Sequence, residues 1–334
     1  MSHYYRPIVR FDLTRPAEAQ PVAGGKGWFS DVECLCRTAP PRVIPIADVP
    51  PDVVARIAAP RADIAGLDMG RPHVMGILNV TPDSFSDGGR HEVPAMAVAR
   101  GRQMVAHGAT MIDVGGESSR PGAQTIPVEA EIARTEPVIG ALRHAVSVPI
   151  SIDTRKAAVA RAAVGQGANV VNDVSGFTYD RALAPFCATK GLPVCIMHAL
   201  GDPETMQVSP RYDDVLLDVY DFLAAQVVFL ENLGVPRDRI IVDPGIGFGK
   251  KLDHNLAILN RISLFHSLGC AILVGASRKK FIGTLSGVET AGERVLGSVA
   301  VALAAAAQGV QILRVHDVQE TCQALSLWQA VQNG

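Results

Sequence analysis

Acidic, amide and basic residues recur in this sequence at the ends of short apolar runs. They are Asn79, Asp113 with Glu117, Asp153, Asn172 with Asp173, His198, Asp243, the Ser277-Arg278-Lys279 run, and Arg314 with His316. One such residue carries little, because Asp or Asn after a strand often caps the next helix. A polar end on eight successive runs is harder to attribute to capping alone. The set also divides by chemistry. Arg314 and His316 are two apart on one run and so face the same way. With Arg120, Arg278 and Lys279 they form a cationic group suited to a phosphate-bearing ligand. Asp153, Asn172 and Asp243 form an acceptor-rich group. Buried carboxylates beside an amide suit a planar heterocycle with several N–H donors, such as a pterin or guanine-like ring.

The elements that must position these residues are rhythmic. From His73 onward eight strand-like runs (73–80, 109–116, 149–154, 169–176, 193–199, 240–245, 271–277 and 312–318) alternate with helical runs. The helical runs include Ala95–His107, Val128–Ala145, Lys156–Gly167, Asp213–Leu233 and Ala291–Gln308. Gly108, Gly167, Gly191, Gly234 and Gly309 stand where left-handed helix stops are expected. The repeat is about 34 residues, the size of one βα unit. The pattern predicts an α/β fold of the (β/α)8 TIM barrel type, whose strand ends converge on one mouth where active sites sit. The Gly/Ser-rich stretches Thr81–Gly89 and Gly115–Gly122 follow the first two strands and are candidate lids. Residues 1–70 differ: they are proline-rich, carry Trp28 and Cys34-Leu-Cys36, and read as short strands followed by a helical piece at Pro51–Ile57. They are expected to be an N-terminal extension of unknown role beside a barrel over 71–334.

Composition excludes several functions. Thirty-one basic and thirty-three acidic residues leave a net charge of −2 over 334 residues, with no basic run for a nucleic acid. A hydrophobic fraction of 48% with 19% charged residues excludes a disordered chain. Cys34, Cys36, Cys187, Cys195, Cys270 and Cys322 match neither a CxxC pair nor a zinc framework. Gly245–Gly249 lacks the spacing of a dinucleotide fingerprint, and there is no Walker A run. His198 reads as a hydrogen-bonded structural histidine. No cluster has zinc-ligand spacing, so a metal would be held largely by substrate phosphates, as magnesium often is. The start MSHYYRPIVRFDL has no apolar core of a signal peptide, and Val299–Ala307 is too short to span a membrane. Cytoplasmic placement, with neither membrane nor nucleic acid as partner, is expected.

The runs VMGILNVTPDSFSDGG and IDVGGESSRPGA, then SIDTRK, NVVNDVSG, VCIMH, DPGIGFGK, VGASRKKFIG and RVHDV, resemble the dihydropteroate synthase family over about residues 72 to 330. The resemblance implies a pterin-binding barrel, usually a homodimer. Such enzymes join 6-hydroxymethyl-7,8-dihydropterin diphosphate to para-aminobenzoate, releasing diphosphate, by a dissociative route, and are sulfonamide targets. It implies Asp153, Lys279 and Arg120 as the catalytic set. Asp153, Asn172, Met197, Asp243 and Lys279 would hold the pterin. Asn79, Arg120, Arg314 and His316 would hold the diphosphate, with Mg2+ on the Asn79 carbonyl oxygen. Ser119, Pro121, Phe248, Ser277 and Arg278 would form the aminobenzoate pocket, and Asp83, Ser84, Phe85 and Asp87 the first lid. Two positions depart from the family: Ser119 where threonine is more common, and Ala199-Leu200 where bulkier or more polar residues are. A related methyltransferase acting on methyltetrahydrofolate would need neither the diphosphate set nor the DSFSDGG run, and an aldolase would use Lys279 as a Schiff base.

Overall fold

The computed structural model describes residues 3–81, 92–118, 120, 122–201 and 205–333. The chain begins with β1 (Tyr4–Pro7), β2 (Gln20–Pro21), β3 (Trp28–Phe29), β4 (Asp31–Leu35), β5 (Arg42–Pro45) and α1 (Pro51–Ala58). The barrel strands follow: β6 (His73–Asn79), β7 (Met111–Gly115), β8 (Ile150–Asp153), β9 (Val170–Asp173), β10 (Val194–Met197), β11 (Ile240–Asp243), β12 (Ala271–Val274) and β13 (Ile312–Val315). Between and after them run α2 (Glu92–Ala106), α3 (Val128–Ala145), α4 (Ala157–Gly165), α5 (Leu183–Lys190), α6 (Val215–Asn232), α7 (Leu252–Asn260), α8 (Lys280–Ser286), α9 (Val295–Ala306) and α10 (Val318–Asn333). The eight strands β6 to β13 pair in parallel and in sequence order, and β13 closes on β6, so the chain is a (β/α)8 barrel with extra N-terminal strands. Among the described residues no helix is long and apolar enough to cross a membrane.

Among the helical boundaries that differ from the sequence reading, two have a clear local cause. The run expected to start at Asp213 becomes α6 only at Val215, because the Asp214 carboxylate caps it, accepting from the N–H groups of Leu216 and Leu217. The run expected over Ala291–Gln308 breaks at Arg294 into a short 3-10 turn and α9. There the Arg294 guanidinium turns back to donate to the carbonyls of Val288, Glu289 and Arg278. The five glycines expected at helix stops all have positive φ, between 62° and 103°.

Alternation along the strands separates two packed sets. Val74, Leu78, Ile112, Val114, Ile150, Ile152, Val171, Ile196, Val242 and Ile272 belong to the large cluster shared with the helices. Met75, Met111, Val170, Cys195, Ile241, Leu273 and Ile312 form a second cluster inside the barrel. Ile64 and Met69, from the segment before β6, join that second cluster and close the bottom of the barrel.

The N-terminal strands β1, β4 and β5 form an antiparallel sheet with its own small core of Val22, Ala23, Phe29, Val32, Val49 and Ile57. Polar contacts fasten this layer to the barrel. Glu33 accepts from Arg6 and Arg261, and Arg37 pairs with Asp218 and Asp221 of α6. The Arg61 guanidinium is buried and donates to the carbonyls of Cys270 (3.1 Å), His266 (3.0 Å), Arg56 (3.0 Å) and Ala59 (2.8 Å). Burial pushes its pKa down to about 10, yet it stays charged at neutral pH. A cavity of about 230 Å3 lies between this layer and α9 and α10, at the barrel end opposite the mouth.

Arg61→Ala would strip several buried carbonyls of their donor. We expect a loss of roughly 3–5 kcal/mol in denaturant unfolding. An unchanged midpoint would show that Arg61 does not fasten the layer.

Candidate active site

The inward register that is apolar at the bottom of the barrel becomes polar at the top. Two residues above Met75, Met111, Val170, Cys195, Ile241 and Ile312 stand Ile77, Asp113, Asn172, Met197, Asp243 and Arg314. Asn79 and Gly115 follow two residues above Ile77 and Asp113. Register pairs Gly115 with Asp153, Asp153 with Asn172, and Met197 with Asp243. Parallel pairing therefore lines these side chains around one rim, although they are far apart in sequence.

At the centre Arg314 reaches from β13 past β6 to β7 and β8. Its Nε donates to Asp113 Oδ2 at 2.6 Å and a terminal nitrogen to Asp153 Oδ2 at 2.7 Å. Asn172 Nδ2 also donates to Asp113 Oδ2, at 3.1 Å. Arg314 of the cationic group and Asp153 and Asn172 of the acceptor-rich group thus meet in one bonded network, joined through Asp113. Asn79 is beside it: a Cβ placed on Gly115 would lie 3.5 Å from Asn79 Oδ1 and 3.7 Å from Asp153 Oδ2. Asp243 is on the other side, since a Cβ on Gly275 would lie 3.9 Å from Asp243 Oδ2 and 3.8 Å from Arg314 Cδ.

Beside the polar rim, on its mouth side, Met197 joins Val174, Met206 and Phe248 from beyond the strand ends in an apolar slot, with Ala199 against it. Lys279 stands over it, its Nζ 3.8 Å from the centre of the Phe248 ring. Ser277 Oγ is 3.1 Å from His316 Nδ1 and accepts from the His316 N–H at 3.2 Å. Arg278 is turned elsewhere, with both arms on the Asp317 carboxylate. Arg120 is exposed. Asp83, Ser84, Phe85, Asp87, Ser119 and Pro121 lie outside the described residues.

Burial tunes the ionisation of this rim. It pushes Asp153 up to about 7, with Arg314 pulling it back and Asp113 adding to the rise. It pushes Asp243 up to about 6 against a hydrogen bond from the Gly245 N–H and the charges of Lys279 and Arg314. Burial and the nearby Arg314 bring Lys279 down to about 7, while Asp243 and Asp153 oppose this. Burial also resists the Arg314 charge, but Asp113 and Asp153 outweigh it and hold that guanidinium ionised. His316 is pushed down to about 3 by burial, then by Arg278 and Arg314, so its imidazole is neutral. Groups poised near neutrality in one cleft are what proton-coupled binding and catalysis require.

Several neighbours carry no role in the sequence reading. Asp113 is noted there only as a strand-end acid; its two-residue offset from Met111 was the available signal for an inward carboxylate. Met206 comes from the segment after β10, and nothing in its local sequence marks it. Lys250 is buried and bonded to His198. Asp173 faces away from the mouth and folds a turn, accepting from Ser175 and Phe177. Glu117 likewise belongs to an ion network with Arg155, Lys156 and Glu131.

Among the described residues no three His, Cys, Asp or Glu side chains cluster as metal ligands. The oxygen donors in the Asn79 corner are an amide and a carboxylate, which suits a hard cation held mainly by a ligand's own oxygens.

A closed parallel barrel with a buried acid–amide–arginine rim beside an apolar slot at its mouth defines a (β/α)8 barrel with an enzyme-like polar cleft. Residues 75–316 match the family described as pterin binding enzyme. The chain is 47% identical over 264 residues to the dihydropteroate synthase of Escherichia coli K12, covering 79% of this chain and 93% of that one. It also superposes on the Xanthomonas albilineans dihydropteroate synthase with 4-aminobenzoic acid, at TM-score 0.78 and 45% identity, over 82% of this chain and 99% of that one. The same enzyme in complex with 7,8-dihydropteroate matches at TM-score 0.74 and 42% identity, over 82% of this chain and 100% of the other. The chain belongs to the dihydropteroate synthase family, whose members are transferases.

Arg314→Met would leave Asp113 and Asp153 buried without their cation. Asp153, already raised to about 7 by burial, would lose the charge that pulls it back and rise further, so the variant's deficit in stability grows as pH rises. We expect a loss of about 3–5 kcal/mol at pH 8 that shrinks toward pH 5. Equal losses at both pH values in denaturant melts would refute this account of the network.

Proposed function

We propose that this chain condenses 6-hydroxymethyl-7,8-dihydropterin diphosphate with para-aminobenzoate to 7,8-dihydropteroate and diphosphate. The observation that carries the reading is the bonded rim of Asp113, Asp153, Asn172 and Arg314 beside the Met197–Phe248 slot. A pterin ring lying in that slot would present its N–H donors to Asp153, Asn172 and Asp243. Lys279, over the Phe248 ring, would meet its carbonyl side. Arg314, His316, Arg120 and the Asn79 amide would receive the diphosphate, near the start of α10, where free N–H groups favour an anion. Mg2+ bound there with the diphosphate would neutralise charge on the leaving group. Ser119, Pro121, Phe248 and Ser277 would receive the aminobenzoate, and Arg278 would have to leave Asp317 to meet its carboxylate. Asp83, Ser84, Phe85 and Asp87 would belong to a lid over the site.

The chemistry follows from charge. Arginines facing the diphosphate stabilise it as it leaves, so the C–O bond can break before the new bond forms. The pterin ring delocalises the positive charge left on its methylene carbon, and the Asp153 carboxylate favours that cation electrostatically. A closed site keeps water away until the aryl amine, whose lone pair is free at neutral pH, attacks. The amine nitrogen then loses its proton to the released diphosphate or to solvent.

The assembly and compartment are read the same way. The α9 sequence carries no charged residue, and Leu296 on it, with Leu327 and Val331 on α10, are 85%, 69% and 77% exposed. This apolar face supports a homodimer. All six cysteines are unpaired thiols, which suits the cytoplasm.

A coupled assay for diphosphate tests the function. Rapid release is expected with both substrates and Mg2+, and slow release without aminobenzoate if cleavage precedes attack. Lys279→Ala or Asp153→Asn should lower turnover at least about 100-fold with the fold intact, and a sulfonamide should compete with aminobenzoate. Full activity in either variant would reject the site. The pH profile of kcat/KM should be a narrow bell around neutrality. Its acid limb comes from Asp153 and Asp243 taking up protons near 7 and 6, its basic limb from Lys279 losing one near 7. Lys279→Arg should move only the basic limb upward.

A further inference from the structure

Lys250 ends the loop that follows β11 and takes no part in the chemistry above. Its side chain is buried, and its three ammonium donors meet three acceptors: His198 Nδ1 at 2.9 Å, Phe248 O at 3.0 Å and His198 O at 3.2 Å. Among the described residues no carboxylate lies within ion-pair distance of it. Burial pushes its pKa down to about 7. A buried cation held only by neutral groups is costly, and an apolar side chain of that size would stabilise the fold better.

The three acceptors belong to two loops that must stay in register. Gly245, at φ +69°, passes so close to the end of β10 that a Cβ would lie 1.9 Å from His198 O. Gly247 and Gly249 receive bonds on their carbonyls from Gln207 and Tyr212. Phe248 lies between them, and its carbonyl accepts from Lys250. The ring of the same residue carries the Lys279 ammonium on its face.

We propose that Lys250 is a positioning residue for the aromatic-amine subsite. Its ammonium ties the Phe248 carbonyl to the end of β10 and so sets the Phe248 ring and the Lys279 group resting on it. This rests on the reading that Phe248 lines the aminobenzoate pocket.

Steady-state kinetics on the full chain test it. Lys250→Met keeps the stem and removes the donors. KM for para-aminobenzoate should rise about tenfold or more, while KM for the pterin diphosphate changes less than about twofold. In a Phe248→Leu background the same substitution should add nothing to the aminobenzoate KM. Equal changes in both KM values, or independent multiplication with Phe248→Leu, would overturn the proposal. His198→Phe keeps the ring against Phe222 and Tyr212 but deletes the Nδ1 acceptor. It should raise the aminobenzoate KM selectively by about threefold, and it decides the matter if Lys250→Met yields no folded protein. No selective change there counts against Lys250. Phe248→Leu without effect on the aminobenzoate KM would instead reject the pocket assignment.

Discussion

The contact on which this molecule's chemistry depends is the one between Arg314 and the carboxylates of Asp113 and Asp153. Removing any one of these charges from water costs several kcal/mol, and only their mutual contact makes the group tolerable inside a barrel. The strands fix that contact. Arg314 sits two residues above the apolar Ile312, and the same offset sets Asp113 above Met111. The register that packs the barrel floor therefore also brings the charges into bonding distance at the rim. An inward position cannot slip by one residue without turning every side chain of its strand outward.

The network also explains why acids and cations share one cleft without cancelling its usefulness. Asp153 and Lys279 are both brought close to neutrality, one raised by burial and the other lowered by it. A ligand that offers N–H donors to the acids and an anion to the cations replaces the lost water on both. The apolar slot of Met197, Met206 and Phe248 beside the rim leaves a flat ring as the shape that satisfies both surfaces.

The N-terminal layer is a second packing solution joined to the first. Ile64 and Met69 complete the barrel floor, and Arg61 gathers carbonyls from both parts. The layer lies outside the family match at residues 75–316, yet the floor beneath the site is built partly from it. Its contribution to the mouth is indirect, through the strands whose lower ends it covers.

By itself the sequence determined the barrel, the strand ends as the place of chemistry, and the sorting of residues into acids with an amide and cations. Those features are local: hydrophobic period, glycine stops and residues two apart on one strand need no knowledge of partners. The structure alone decided that Arg314 binds Asp113 and Asp153, that Arg278 turns to Asp317, that Met206 joins the slot and that Lys250 stands behind it. Each of those depends on side chains from different βα units meeting across space. Sequence spacing carries no distance between such units; only closure of the barrel supplies it.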